Sequence, residues 1–185
     1  HDAAVTPVDV SQAAVFHESA PEFFTWFANQ FQSPRQKRQF LLKLAEVNAT
    51  RQFKWYCERF RAARYIDVQV CKWFGRHGNL AMLEWIRCSY NFDWRLPDLL
   101  VEACSHGHIH LAQVILEHVE ERESDQKLTF AARAAAANGR VEVLRWLKQE
   151  YGVNVKAFVP LRCYAASVTT QQLVAMHEQG LIAQQ

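Results

Sequence analysis

The chain has 185 residues, half of them hydrophobic, and a formal charge of +2. That is ample apolar material for one domain and too little for two unless one is very small. Near-neutral charge sets aside a molecule-wide electrostatic grip on nucleic acid, and no apolar run approaches the roughly eighteen residues of a membrane span. The five cysteines, Cys57, Cys71, Cys88, Cys104 and Cys163, are odd in number and form no C-x-x-C pair. They suit buried thiols in a reducing compartment, cytoplasmic or nuclear, better than a disulfide framework or a zinc site.

Residues 1–18 carry no sustained period and no positively charged segment followed by an apolar core, so they read as an extended or mobile lead-in without a signal peptide. Ser19-Ala-Pro-Glu22 has the form of a capping box, with proline tolerated in the first turn. It predicts a helix over 20–31 that buries Phe23, Phe24, Trp26, Phe27 and Phe31. Ser33-Pro-Arg-Gln36 repeats the signal for the next helix. Residues 19–35 are therefore read as an N-terminal cap on an array occupying 36–185, because an uncapped repeat would expose its core.

The array is legible as a degenerate phrase of about thirty residues. After each of Gly78, Gly107 and Gly139, apolar residues fall at offsets two, four, five, seven and eight: Leu80, Met82, Leu83, Trp85 and Ile86, then Ile109 through Ile115, then Val141 through Leu147. That is one face of an α-helix. The pattern persists after Asn48 (Phe53, Trp55, Tyr56) and after Thr169 (Leu173, Val174, Met176), at intervals of 30, 29, 32 and 30 residues. Upstream of each turn stands a pair of small or apolar residues: Leu44-Ala45, Phe74-Gly75, Ala103-Cys104, Ala135-Ala136 and Ala165-Ala166. Small side chains there let a short first helix lie close against a second. Each unit is thus helix, tight turn, helix, giving an all-α fold of five helix pairs with an added N-terminal helix. Trp55, Trp85 and Trp146 share one offset and are expected in the core, as is Trp26.

The stretch from Asp98 to His108, Asp-Leu-Leu-Val-Glu-Ala-Cys-Ser-His-Gly-His, with the amphipathic segment through Leu116, resembles the ankyrin phrase T-P-L-H-x-A-A-x-x-G-H and its second helix. The resemblance covers roughly 36–180 and is clearest around Gly107 and Gly139. It implies an α-solenoid of ankyrin-like repeats that binds another protein through its concave face and loops. The Thr-Pro-Leu-His start is nearly absent, recognisable only in Val159-Pro-Leu-Arg162, which implies β-hairpin fingers shortened or replaced by plain loops. A tetratricopeptide array has a longer period and a W-x-x-L-G phrase not found here.

Carried over position by position, the family's contact residues fall on Trp73, Arg76 and His77, then Glu102, Ser105 and His106, then Asn138, and last Tyr164. Ala134 and Ala137 leave room there. Trp94, in a loop after a second helix, is either a contact residue or packed against the next unit. Tryptophan is a strong anchor when exposed. Divergence from the family phrase suits an adaptor fitted to one fixed partner in a larger complex, or an effector delivered by a pathogen to host cytoplasm.

Charge is uneven. Residues 1–34 hold four acids and no Lys or Arg, 35–76 eleven cations against three acids, and 77–150 eight against eleven. Arg51 through Arg64 interleaves cations with aromatics, a composition that can bind a phosphate backbone and stack bases; this is the alternative function. The stronger reading puts Phe53, Trp55, Tyr56 and Phe60 in the core and leaves the charges for an acidic protein partner. Glu117–Asp125, with five acids among nine residues, reads as a solvated loop or an acidic finger. His106-Gly-His-Ile-His110 does not converge on a metal, and His108 falls where the ankyrin phrase has its own histidine. No nucleophile elbow, Gly-rich phosphate loop or H-E-x-x-H is present, so we expect no catalytic residue, no metal, no small-molecule cofactor and no membrane contact. A repeat-fold enzyme is the third and weakest alternative.

Overall fold

The computed structural model describes residues 21–31, 33–90, 97–118 and 121–154. The lead-in over 1–18, Ser19 of the first capping box, Trp94, Cys163, Tyr164 and the fifth unit with Val159-Pro-Leu-Arg162, Ala165-Ala166 and Thr169 lie outside them. Among the described residues there are nine α-helices, one 3-10 turn and no strand. A first helix, α1 (Pro21–Ala28), is followed by four helix pairs: α2 (Pro34–Glu46) with α3 (Thr50–Phe60), α4 (Val68–Arg76) with α5 (Leu80–Tyr90), α6 (Pro97–His106) with α7 (Ile109–Glu117), and α8 (Glu121–Ala137) with α9 (Val141–Tyr151). The 3-10 turn Ala62–Tyr65 joins the first two pairs. The chain divides into two compact units, 1–74 with 81–91, and 75–80 with 92–185.

All four turns within pairs are built alike. Asn48, Gly78, Gly107 and Gly139 hold φ of 54°, 64°, 91° and 64°. The left-handed conformation ends a helix and turns the chain, and glycine adopts it without the steric cost that a Cβ brings. At Asn48, Gly107 and Gly139 the following amide donates five residues back, Ala49 N to Leu44 O, His108 N to Ala103 O and Arg140 N to Ala135 O, each at 2.9 Å. Those carbonyls belong to the small pairs, which are fully or almost fully buried in all four units.

In the first unit the core is aromatic. Phe24, Phe40, Phe53, Tyr56 and Phe74 are fully buried, with ring centroids of Phe40 and Tyr56 4.7 Å apart and of Phe53 and Phe74 5.1 Å apart. The Ser33 capping box forms as expected: Gln36 N donates to Ser33 Oγ at 3.2 Å and Ser33 N to Gln36 Oε1 at 3.1 Å. In the second unit small residues do the packing. Ala131, Ala132, Ala135 and Ala136 of α8 are buried, as are Leu99, Leu100, Ala103 and Cys104 of α6, the helix against which α8 makes its most extensive contact. Removing side-chain bulk lets helix axes approach to the short end of the usual 8–10 Å range.

Offsets four, five and eight after each glycine are buried throughout, whereas offset two is half-buried. Offset seven lies at the margin, so Trp55 and Trp85 are half-buried and only Trp146, 9% exposed, is in the core. A ring too wide for a marginal position leaves one edge in water. Helix α1 is shorter than expected and buries Phe24 and Ala28, one turn apart; Trp26, 58% exposed, and Phe23, 42% exposed, fall off that stripe. The acidic run is also corrected: Glu121–Asp125 is not loop but belongs to the 17-residue α8, Glu121–Ala137. The longer interval of this unit is thus taken up by its first helix.

Gly78 and Gly152 share the left-handed conformation, φ 64° and 63°, but a Cβ at Gly78 would meet the His108 ring at 2.5–2.8 Å, whereas at Gly152 nothing lies within 4 Å. Gly152→Ala is expected to cost about 1 kcal/mol of backbone strain alone, and Gly78→Ala about 2–4 kcal/mol, since the imidazole must also move. Urea unfolding of the two variants measures the difference.

Candidate functional site

Within the second unit, the end of α4 and the end of α6 are tied side by side. Arg76 makes a two-pronged pair with Glu102, Nε to Oε2 at 2.8 Å and Nη2 to Oε1 at 3.1 Å, a geometry only a guanidinium and a carboxylate achieve. Ser105, itself buried, donates from Oγ to the Glu102 carbonyl at 2.9 Å and lies 2.8 Å from His106 Nδ1. His106 Nδ1 also bonds the Glu102 carbonyl at 3.0 Å and stands 4.0 Å from the Glu102 carboxylate. Four of the sequence-predicted contact residues, Arg76, Glu102, Ser105 and His106, therefore form one network.

Underneath runs a second set of bonds that the sequence reading missed. The residues following Gly107 and Gly139 reach into the preceding turn: His108 Nε2–H donates to the Arg76 carbonyl at 2.7 Å, and Arg140 Nε to the Ser105 carbonyl at 3.0 Å. Both acceptors stand two residues before a turn glycine, so the turns of successive helix pairs are held in register. The His108 ring fills the space over Gly78, and the Arg140 chain lies 3.5 Å from the Cβ position of Gly107. A polar residue at the same offset in successive units, Asn79, His108 and Arg140, was the available signal.

His77, His106 and Asn138 occupy equivalent positions just before the three glycines and are all exposed. His106 and Asn138 each turn back one helical turn, Asn138 Nδ2 donating to Ala134 O at 2.9 Å. Each adds a second donor to a carbonyl of the last helical turn, beside Asn138 N on Ala134 O and Ser105 Oγ on Glu102 O, and both residues stay exposed. Trp73 is half-buried on α4; Trp94 and Tyr164 lie outside the described residues.

Among the described residues no three His, Cys, Asp or Glu side chains gather as metal ligands, and no helix is long and apolar enough to cross a membrane. In the basic-aromatic stretch Phe53 and Tyr56 are buried, Trp55 and Phe60 half-buried, and the Phe60 ring lies 4.8 Å from Tyr56 and 5.7 Å from Trp55. The thiols of Cys57, Cys71 and Cys104 are buried and pushed up from the ordinary 9 to about 12, by desolvation first. Cys88 departs from the expectation of buried thiols and is exposed, because it lies two residues beyond the last core offset of its helix.

Comparison of the chain with protein-family models, with curated proteins and with solved structures finds no match.

The thiols make stability pH-dependent with a defined sign. Below pH about 9 they are neutral in both folded and unfolded chains, and their burial is fully stabilising. Between about 9 and about 12 the unfolded chain releases protons that the folded one keeps, so stability falls by about 1.4 kcal/mol per pH unit for each thiol. Unfolding midpoints should hold up to pH about 8 and then drop. Peptide mapping after alkylation at neutral pH should find Cys88 modified and Cys57, Cys71 and Cys104 protected until denaturant is added.

Proposed function

We propose that the chain is an ankyrin-like helical-repeat module, an adaptor without catalytic chemistry, that binds another protein along the edge formed by His77, His106 and Asn138 together with the Arg76–Glu102 pair. The observation that carries the reading is the recurrence of one turn at Asn48, Gly78, Gly107 and Gly139, with side chains tying successive turns in register at His108 and Arg140. Helix pairs stacked in this way place equivalent residues in a row, and a row of exposed polar residues that vary from pair to pair is what a repeat surface uses for recognition. The Arg76–Glu102 pair is part-buried and already matched. Its role is to hold the edge rigid rather than to supply a free charge, which lowers the ordering cost of binding.

His77, His106 and Asn138 can be changed together to alanine with small effect on the core, since all three are exposed. In affinity capture followed by mass spectrometry, a partner recovered stoichiometrically with the wild type should be lost with the triple variant, while both show the same cooperative melt. A partner retained by the folded triple variant would exclude this edge.

A further inference from the structure

The first unit contains a feature that neither its core nor the recognition edge uses. Helices α2 and α3 are joined by the short turn at 47–49 and pack antiparallel, so the start of α2 lies beside the end of α3, and the 3-10 turn Ala62–Tyr65 packs against both. Six cations share that end: Arg35, Lys37 and Arg38 from α2, Arg59 and Arg61 from the end of α3, and Arg64 from the 3-10 turn. Two acids, Glu58 and Asp67, stand against them. Asp67 is committed, accepting from Arg38 Nε at 2.6 Å and capping α4 through Gln69 N at 3.0 Å and Val70 N at 3.1 Å. Among the described residues Arg35, Lys37, Arg59, Arg61 and Arg64 have no ion pair, and all but Lys37 are exposed.

Folding does not account for this cluster, because two of its placements oppose stability. Helix α2 has no acid in its first turn, and cations there face the positive end of the helix dipole. Arg61 holds the left-handed conformation, φ 48° and ψ 40°, which costs a side chain with a Cβ and which glycine would adopt freely. A surface that keeps unmatched arginines at such positions is arranged for an anion.

We propose that this end of the α2–α3 pair is a docking site for an Asp/Glu-rich segment of a partner protein. Arginine forks match carboxylates two bonds at a time. Nucleic acid is the less suitable occupant, because the neighbouring rings are engaged inward: Tyr56 is fully buried, and Phe60 packs on Trp55 and Tyr56. Trp55 and Phe60, half-buried and packed on their neighbours, offer bases only partial faces. The chain as a whole, at +2, also offers a long polyanion little net attraction, while a short acidic segment reads only the local field. The proposal uses none of the residues of the recognition edge, so each can fail while the other stands.

The test is fluorescence anisotropy with a labelled Asp/Glu-rich peptide of about a dozen residues, beside a neutral peptide, a thymidine oligonucleotide of similar length and phosphatidylserine vesicles. The wild type should bind the acidic peptide in preference to the others, with affinity falling as salt rises from about 50 to about 500 mM. The triple reversal Arg59→Glu, Arg61→Glu, Arg64→Glu should weaken binding at least about tenfold. Arg61→Gly should weaken it a few-fold while raising the melting temperature by a few degrees. Should the triple reversal disturb the fold, the pair Arg35→Ser, Arg64→Ser, both exposed and unpaired, should lose about threefold. Unchanged affinity in the folded variants, or binding of oligonucleotide or vesicles in place of the peptide, would overturn the proposal.

Discussion

The second unit depends on one contact made twice: the side chain that follows a turn glycine reaches back to the last carbonyls of the preceding first helix. His108 does this to Arg76 and Arg140 to Ser105. Helix ends leave carbonyls without intrahelical partners, and a buried or half-buried one must find a donor. Here the donor comes from the next helix pair, so the requirement that closes one helix also sets the position of its neighbour. The glycines are needed twice over, for the left-handed turn and for the space that the neighbouring side chain occupies. At Gly78 that space is filled by the imidazole; at Gly107 it is covered more loosely by the aliphatic part of Arg140.

Much of this was legible in the sequence because it is periodic. The turn positions, the small pairs and the apolar offsets are local requirements, and a local requirement repeated every thirty residues stands out from noise. The Ser33 capping box was readable for the same reason, since both its bonds span three residues. What was not legible depends on neighbours. Offset seven is apolar in the pattern, yet how much of Trp55 or Trp85 is covered depends on the adjoining helix. Trp26 is apolar but one residue in a short helix, and the stripe through Phe24 and Ala28 decides its exposure. The acidic run 117–125 was read by composition as a loop, although Glu117 closes one helix and 121–125 open the next. Arg140 looked like any surface cation, because its acceptor is 35 residues away.

The two halves of the functional reading rest on different physics. Along the row of His77, His106 and Asn138 the neighbouring Arg76 and Glu102 charges are matched, so the proposed binding there would draw on rigidity rather than on free charge. At the end of the α2–α3 pair Arg38 is matched by Asp67, whereas the cations opening α2 and the left-handed Arg61 sit where folding disfavours them. The second unit's small-residue packing and the first unit's ring packing are alternative solutions to filling the space between short helices.

The account stands or falls on whether the residue after the turn glycine links one helix pair to the next. Urea unfolding of His108→Ala and Arg140→Ala beside His110→Ala, an exposed histidine two residues further on, tests this most directly. The account predicts losses of about 1–2 kcal/mol for His108→Ala and Arg140→Ala and less than about 0.5 kcal/mol for His110→Ala. Equal and negligible losses at all three positions would contradict it.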